Sequence, residues 1–408
     1  MDTKSKSTPQ FTFGKSVLLP QEEMLETGKK QKKLIIGVPK EISPEENRIP
    51  LAPHAVERLV NNGHTVLIEK KAGEGAHFDD LSYSEVGGII VNNHNEIFES
   101  DIIIKIAPLQ QNEIELLKAN QTIISSLHIA AQTKEYIQNL LSKKTTALAF
   151  EYLKDKRNNI YPIIRSMSEI AGSTSILIAA EYLSNINNGK GEMLGGISAI
   201  SPSEVVIIGA GTAGEFAART ALGLGALVKV FDSSIRKLSQ LQNNIGTRIF
   251  TSMLQPRVLQ KALKSADVVI GALHLGDPSQ RFIVSEDIVK IMKPDSVIVD
   301  ISIDHGGCFE TSKLTSHSNP VYKKHNVIHY CVPNIPSRVA RTASYALSNI
   351  FGQIILNIGE AGGTKQLLKN NLGVRNGVYI YNGILTNEYI GEKFGLSYRD
   401  INLLMAAF

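Results

Sequence analysis

Residues 205–232 read VVIIGAGTAGEFAARTALGLGALVKVFD, and this segment constrains the fold more than any other part of the chain. An apolar run ends at Gly209, Gly211 and Gly214 follow, and a helical stretch leads to a second apolar run that ends in Asp232. Glycines at this spacing permit a tight turn and let the backbone approach a pyrophosphate at a helix N-terminus, where unpaired N–H groups and the helix dipole favour negative charge. The segment therefore predicts a βαβ unit that binds a dinucleotide.

Asp232 indicates which dinucleotide is bound. It lies about 18 residues beyond Gly214, near the place where a carboxylate is needed to hold a ribose 2′-hydroxyl. The same carboxylate would repel a 2′-phosphate, so the sequence predicts NAD rather than NADP. The alternative interpretation is a structural βαβ turn that binds no nucleotide.

Length and composition limit the class of protein. A chain of 408 residues predicts two domains, and 43% apolar with 20% charged residues indicates a globular protein with an ample core. The net charge of +4 is small for this length, so neither a nucleic acid nor a membrane surface is expected as a partner. Two cysteines, Cys308 and Cys331, lie in apolar surroundings, which favours reduced thiols and a cytoplasmic location.

Apolar runs and helical stretches alternate from residue 34 onward, which predicts an α/β fold of two doubly wound (Rossmann-like) domains with a cleft between them. The first domain is expected to be discontinuous. The predicted parts are an N-terminal extension over residues 1–33, expected to be flexible, a substrate and catalytic domain over 34–165 plus 342–408, and an NAD-binding domain over 166–341. Predicted strands include 101–106 and 121–127, long helices are predicted over 167–183 and 342–357, and NGILTNEYIGEKFGL near the C-terminus is predicted to be helical.

Several motifs outside the glycine-rich segment resemble those of the alanine dehydrogenases. They are GVPKE from Gly37, ENRIPLAP from Glu46, MSEIAG from Met167, DISIDHGGCFE from Asp300 and HYCVPN from His329. The opening motifs also resemble the N-terminal domains of proton-translocating transhydrogenase α-chains, whereas IDHGGCFE followed by HYCVPN is typical of the alanine dehydrogenases. The resemblance covers nearly everything from residue 35. It implies NAD-dependent conversion of L-alanine and water to pyruvate and ammonia, reversibly, by a homohexamer.

Three residues carry the chemistry that this resemblance implies. Arg48 matches the arginine that binds the substrate carboxylate, and a guanidinium offers the planar fork of donors that a carboxylate needs. His128 matches the catalytic histidine, and imidazole titrates near neutrality, as acid–base work requires. Asp304, just beyond a predicted strand, matches the second catalytic residue. The alternatives are a surface arginine, a packing histidine and an aspartate that begins a turn.

One position departs from the family pattern. Family members commonly read Lys-x-Lys-Glu-Pro where this chain reads Lys105-Ile106-Ala107-Pro108, so Ala107 replaces a lysine that helps to hold the substrate's carbonyl oxygen. Residues 105 and 107 would point to the same face of a strand, and Lys105 is therefore predicted to supply the missing ammonium. If it does not, the substrate differs.

The resemblance also implies further NAD contacts. They fall on Ser168, Thr212, Ala213, Lys237, Leu273, Val332 and Asn334. No metal is implied. Two alternatives stay open: an NAD-dependent dehydrogenase of another amino acid, which Ala107 favours, and a non-catalytic NAD-binding protein like the transhydrogenase domain, which His128 and Asp304 oppose.

Overall fold

A computed structural model describes residues 32–155, 159–273 and 282–407. The predicted N-terminal extension lies outside the described residues, apart from its last two. Fifteen strands occur in the described residues: β1 Ile35–Val38, β2 Thr65–Glu69, β3 Ile89–Val91, β4 Ile102–Ile104, β5 Thr122–Ser125, β6 Thr146–Ala149, β7 Glu204–Ile208, β8 Leu227–Asp232, β9 Phe250–Met253, β10 Val268–Gly271, β11 Val297–Asp300, β12 Val321–Lys324, β13 Val327–Tyr330, β14 Val378–Tyr381 and β15 Ile384–Leu385.

Two separate sheets are formed by these strands. The first has eight strands in the order β15-β14-β6-β5-β4-β1-β2-β3, and the second has seven in the order β12-β13-β11-β10-β7-β8-β9. All neighbours from β6 to β3 and from β13 to β9 run parallel, and the antiparallel pairings are those of β14 with β6 and β15 and of β12 with β13. The first sheet takes strands from both ends of the chain, which confirms the predicted discontinuous first unit.

Helices cover the faces of both sheets. Their bounds are α1 Pro53–Asn61, α2 Asp80–Glu85, α3 His94–Ile97, α4 Gln111–Leu116, α5 Lys134–Ser142, α6 Pro162–Leu183, α7 Thr212–Gly223, α8 Ile235–Ile245, α9 Pro256–Ser265, α10 Glu286–Val289, α11 Ala340–Glu360, α12 Thr364–Asn370, α13 Leu372–Arg375, α14 Glu388–Phe394 and α15 Ile401–Ala407. None of them is long and apolar enough to cross a membrane, within the part of the chain that is described.

The central strands are buried on both faces, as parallel sheets require. β4 reads Ile-Ile-Ile and β7 contains Val205 to Ile208, and all these side chains are buried. Each sheet has one apolar cluster on each face, four clusters among the described residues. Burial of this kind stabilises a fold by about 25 cal/mol per Å² of apolar surface, so these clusters supply most of the driving force for folding.

Two long helices carry the chain between the sheets. α6 leads from the first sheet to the second, α11 leads back, and the two helices contact each other. Gly172 of α6 allows close packing on the glycine-rich turn, because a Cβ there would lie 2.2 Å from the carbonyl oxygen of Ala213. This contact fixes the position of α6 relative to the predicted nucleotide-binding loop.

Two local predictions were wrong. The strand predicted over 101–106 ends at Ile104, so Lys105 and Ala107 do not share a strand face. The C-terminal helix predicted from Asn382 begins only at Glu388, because Asn382 and Gly383 form the turn of the β14–β15 hairpin. Both turn residues have positive φ, 46° and 78°, as a two-residue hairpin loop needs.

Candidate active site

Most of the predicted site residues follow the carboxyl ends of the parallel strands, where doubly wound sheets bind ligands. In the first sheet, Arg48 lies on the loop after β1 and His128 follows β5. In the second sheet, Gly209 follows β7, Asp304 follows β11 and Asn334 follows β13. The loops of both sheets thus supply predicted residues.

The glycine-rich turn has the backbone geometry that a pyrophosphate site needs. Gly209 has a φ of 115°, and a Cβ there would lie 2.4 Å from the oxygen of Ala272. A Cβ on Gly214 would lie 1.8 Å from the oxygen of Gly209, so helix α7 can pack against the turn only with glycine at this position. Gly211 is the N-cap residue of α7. A Cβ built on Gly211 would have no heavy atom within 4 Å, so the backbone is accessible at this position. These residues fit a dinucleotide whose phosphates meet the start of α7.

Asp232 also has a structural role. Its side chain is completely buried, and its carboxylate accepts hydrogen bonds from the backbone N–H groups of Ala210 and Ser234, both at 2.7 Å. The carboxylate therefore ties the glycine turn to the beginning of α8. A ribose hydroxyl would have to reach a group whose two oxygens already have donors, and the ribose contact stays a prediction.

The other predicted NAD contacts surround this turn. Ser168 on α6 is half-buried, as are Thr212 and Ala213 at the start of α7. Lys237 is exposed on the first turn of α8, whereas Leu273 and Val332 are buried at the ends of β10 and β13. Their positions are compatible with the predicted roles, which stay predictions.

Arg48 is not a freely exposed surface residue, because only 11% of its side chain is accessible. Its Nε donates to Glu46 Oε1 at 2.8 Å and its Nη2 donates to Glu46 Oε2 at 2.6 Å. This occupies one edge of the guanidinium. The second edge, formed by Nη1 and Nη2, keeps donors for another carboxylate, and Nη1 lies 3.5 Å from the sulfur of Met167.

The charge environment of Asp304 involves two of the predicted site residues. Although Asp304 is exposed, desolvation by the surrounding protein raises the pKa of its carboxyl above the usual value, and the backbone N–H of Asn334 acts in the opposite direction. Positive charge on His128 or Arg48 lowers this pKa. Both side chains are therefore within electrostatic range of Asp304.

The backbone at His128 is strained, with a φ of 47° in a residue that has a Cβ. Glu151, which follows β6, stabilises this conformation: its Oε1 accepts from the N–H of Leu127 at 2.8 Å and from the N–H of His128 at 3.3 Å. The imidazole itself is exposed to solvent. The His128 side chain is therefore held in a position open to solvent and is not packed in the core.

Asp304 is presented by the turn after β11, which Asp300 organises. The buried Asp300 carboxylate accepts from the N–H of Cys308 at 2.8 Å and from the hydroxyl of Ser312 at 2.6 Å. Gly307, with a φ of 81°, is required here because a Cβ would lie 2.7 Å from Asp300 Oδ2. Burial raises the pKa of Cys308 to about 12, so this thiol stays protonated and does not act as a nucleophile.

Lys105 does not offer its ammonium to the cleft. Its side chain is completely buried, and Nζ donates to both oxygens of Glu113 at 2.8 Å. A second carboxylate, Glu41, lies 3.8 Å from Nζ. The expectation that Lys105 supplies the ammonium lost at Ala107 rested on a shared strand face, and that premise was wrong because the strand ends first.

Glu41 was not predicted to be part of the site, although it ends the GVPKE motif. Its carboxylate accepts from the N–H groups of Ile106 and Ala107, which fixes the loop that carries the departure from the family pattern. Burial raises its pKa to about 7, and Lys105 opposes this rise. Glu46 and Glu151 were missed as well, because the contact of Glu46 with Asn334 and the contacts of Glu151 with Leu127 and His128 join residues distant in the sequence.

Known proteins similar to this chain support one family assignment. The model of the alanine dehydrogenase/PNT N-terminal domain matches residues 37–171, and that of the C-terminal domain matches residues 175–388. An alanine dehydrogenase of Staphylococcus saprophyticus is 39% identical over 369 residues, which are 90% of this chain and 99% of the relative. Alanine dehydrogenase 2 of Staphylococcus aureus is 38% identical over 367 residues, which are 90% of this chain and 98% of the relative.

Solved structures agree with these sequence matches. An L-alanine dehydrogenase superposes with a TM-score of 0.83 at 34% identity, over 88% of this chain and 99% of that one. A transhydrogenase from Sinorhizobium meliloti superposes with a TM-score of 0.74 at 21% identity, over 87% of this chain and 99% of that one, and this likeness shows the fold alone. Two Rossmann-like domains are thereby confirmed.

Proposed function

The chain belongs to the alanine dehydrogenase/PNT family, and on that premise we propose that it catalyses the reversible NAD-dependent oxidative deamination of L-alanine. In this reaction L-alanine, NAD⁺ and water give pyruvate, ammonium, NADH and a proton. The observation that supports the proposal is that Arg48, His128 and Asp304 all follow the carboxyl ends of parallel strands, with Arg48 and His128 within electrostatic range of Asp304. A cation for the carboxylate and two acid–base groups are what an amino-acid dehydrogenase requires.

Arg48 binds the substrate carboxylate in this proposal. Glu46 holds the Nε–Nη2 edge, so the carboxylate would be bound by the Nη1–Nη2 edge. Such a contact fixes the substrate at one end and leaves its amine carbon free to face the second domain. Orienting the two reactants in this way contributes much of the rate acceleration of a bimolecular reaction.

His128 and Asp304 move protons and hold the nucleophile. Removal of a hydride from the amine carbon of alanine leaves an iminium ion, which adds water and then loses ammonia. His128 accepts the proton of the attacking water and returns one to the departing nitrogen. Asp304 orients the water or the ammonia by hydrogen bonding.

NAD supplies the hydride acceptor when it is bound. We propose that Gly209, Gly211 and Gly214 hold its pyrophosphate together with Thr212 and Ala213, and that Asp232 and Lys237 lie on its adenosine side. Ser168, Leu273, Val332 and Asn334 would lie near the nicotinamide. The accessible backbone at Gly211 supports this placement of the phosphates.

One observation favours a second candidate within the same enzyme class. Neither Ala107 nor the buried Lys105 presents an ammonium to a keto oxygen. An L-amino-acid dehydrogenase whose preferred substrate is not alanine is therefore the second proposal.

The wider organisation is proposed from the resemblance of the chain to the alanine dehydrogenases. We propose a homohexamer in the cytoplasm, with pyruvate, L-alanine and ammonia as its small-molecule partners. The substrate domain would comprise 34–165 and 342–408, and the NAD-binding domain 166–341.

Steady-state kinetics test the proposed function. Reduction of NAD⁺ by L-alanine and oxidation of NADH by pyruvate with ammonium should both be measurable, and Arg48→Lys should raise the KM for pyruvate strongly while leaving the Kd for NADH nearly unchanged. An ammonium cannot bind a carboxylate with a planar fork, which is why lysine is not equivalent here. Equal KM values in the two proteins would contradict the role of Arg48.

A further inference from the structure

The Glu46 carboxylate contacts residues on loops of both sheets. Besides accepting from Arg48, its Oε2 accepts from Nδ2 of Asn334 at 2.9 Å. Arg48 lies on the loop after β1 of the first sheet, and Asn334 lies on the loop after β13 of the second. Only 7% of the Glu46 side chain is accessible, so both contacts are made in an environment largely shielded from water.

We propose that Glu46 is a positioning residue that aligns the Arg48 guanidinium only when the loop carrying Asn334 is in place, which couples substrate binding to the cofactor side of the cleft. This proposal rests on the proposed function. We call the contacts of the Glu46 carboxylate with Arg48 and Asn334 the Glu46 bridge. Three side-chain donors on two loops share one carboxylate, and such charge-assisted bonds fix both partners in direction as well as distance.

The geometry of Arg48 explains what the bridge accomplishes. Glu46 occupies Nε and one hydrogen of Nη2, and its Oε1 also accepts from the backbone N–H of Arg48 at 3.0 Å. The guanidinium therefore cannot turn, and only its Nη1–Nη2 edge remains for a substrate. An arginine side chain that is not held in this way loses its considerable rotamer freedom when a substrate binds.

The bridge reaches the acid–base group as well. The backbone N–H of Asn334 is directed at the Asp304 carboxylate, while the side chain of Asn334 holds Glu46. Asn334 has left-handed backbone geometry, with φ 57° and ψ 45°, which allows these two groups to point to different partners. A displacement of Asn334 would consequently change the surroundings of Arg48 and of Asp304 together.

The 44–48 loop offers a matched control. Glu45 also joins the two halves, because its carboxylate accepts from the N–H groups of His317 at 2.7 Å and Ser318 at 3.0 Å. It makes no hydrogen bond or ion pair with Arg48 among the described contacts. Glu45→Gln therefore weakens the attachment of the loop without touching the guanidinium.

The kinetic test depends on the sign of the change in KM. If Glu46 positions Arg48, both Glu46→Gln and Glu46→Asp should raise the KM for pyruvate by about 3- to 30-fold, with kcat changed much less, since an arginine regains rotamer freedom. If Glu46 only balances charge, Glu46→Gln should lower the KM, because the cleft loses a negative charge, and Glu46→Asp should leave it unchanged. A lowered KM in Glu46→Gln overturns the proposal, as does an equal rise in Glu45→Gln.

A double-mutant cycle tests the second arm of the bridge. Asn334→Gly keeps the left-handed backbone and the N–H that faces Asp304 but removes Nδ2. The combined variant Glu46→Gln/Asn334→Gly should have nearly the same KM for pyruvate as the more affected single variant, because both changes break one shared contact. Multiplicative effects on the KM would show that the two residues act independently.

Hydrogen exchange separates this proposal from the proposed function. NADH should slow amide exchange of residues 45–48 in the wild-type protein and in Glu45→Gln, and this slowing should be lost in Glu46→Gln. The comparison needs no turnover, so a protein that converts no amino acid would refute the proposed function and still test the bridge. Undiminished slowing in Glu46→Gln would overturn the inference.

Discussion

Replacement of Lys105 by methionine decides between a substrate-binding and a structural role for this residue. Methionine keeps the length of the apolar stem and removes the ammonium. In the structure this leaves the Glu113 carboxylate, which is completely buried, without the cation that both of its oxygens accept from at 2.8 Å. Glu41, 3.8 Å from the same ammonium, loses its nearest positive charge as well.

The expected loss of stability follows from the burial of this pair. Removing one partner of a buried ion pair costs about 3–5 kcal/mol, because an uncompensated charge remains. For a domain of 150–250 residues this corresponds to a fall in Tm of about 6–20 °C. The double replacement Lys105→Met/Glu113→Met removes both charges, and it should recover most of the lost Tm since buried pairs are often replaceable by apolar side chains.

Thermal denaturation followed by circular dichroism measures the Tm of the wild-type protein, the single variant and the double variant. Initial rates with pyruvate at a temperature well below every Tm give the KM. We expect a lower Tm in Lys105→Met and a KM for pyruvate close to that of the wild type. An unchanged Tm with a KM raised tenfold or more would refute the reasoning, since it would require the ammonium to reach the substrate.

Three further predictions concern single residues. His128→Ala should reduce kcat by about 10²–10⁴-fold while NADH binding, measured by fluorescence, persists; near-normal kcat would contradict the acid–base role of His128. Asp232→Ser should narrow the preference for NAD over NADP in kcat/KM, because a charge that repels a 2′-phosphate is removed, and an unchanged preference would place the ribose elsewhere. Burial raises the pKa of Glu41 from 4.5 to about 7, so its stabilising contribution is fully present below about pH 4.5 and is lost as the pH rises through 7. Glu41→Gln should therefore flatten the pH dependence of the urea midpoint across this range, and an equally steep dependence in the variant would contradict the assignment.

The glycine-rich unit could be predicted because its constraints are local. A positive φ at Gly209 and close backbone contact at Gly214 are properties of the turn itself, and no other residue type satisfies them. The parallel strands were equally accessible to prediction, since burial on both faces demands apolar runs such as the one in β7. Such features depend little on what the rest of the chain does.

The role of Lys105 could not be read in the same way. Alternation of side chains holds only along a strand, and β4 ends at Ile104, before both Lys105 and Ala107. Its partner Glu113 lies in the first turn of α4, and nothing in the local sequence indicates that this carboxylate turns back to the end of β4. Pairing between successive elements depends on tertiary packing.

The C-terminal hairpin differs from Lys105, because the sequence contains a signal that predicts it. Asn382-Gly383 lies between two short apolar runs, and this dipeptide is the strongest short-range indication of a hairpin with positive φ at both turn residues. The helical pattern that follows from Glu388 was extended too far toward the N-terminus. In this segment the Asn-Gly turn is a stronger signal than the helical pattern.

The role of Glu46 could not be predicted from any pattern along the chain. Its partners are two residues and 288 residues away in sequence, and only the folded arrangement of both sheets brings them to one carboxylate. The residue belongs to the motif that includes Arg48, yet a motif does not say which member binds a ligand and which member holds another residue in place.

Oxidation of a panel of L-amino acids by NAD⁺, followed by the absorbance of NADH, tests the central claim most directly. Membership of the alanine dehydrogenase/PNT family predicts that L-alanine is oxidised with the highest kcat/KM of the panel. A higher kcat/KM for another amino acid would contradict the alanine assignment and support the second candidate. Binding of NADH without oxidation of any amino acid would contradict the proposed enzyme altogether.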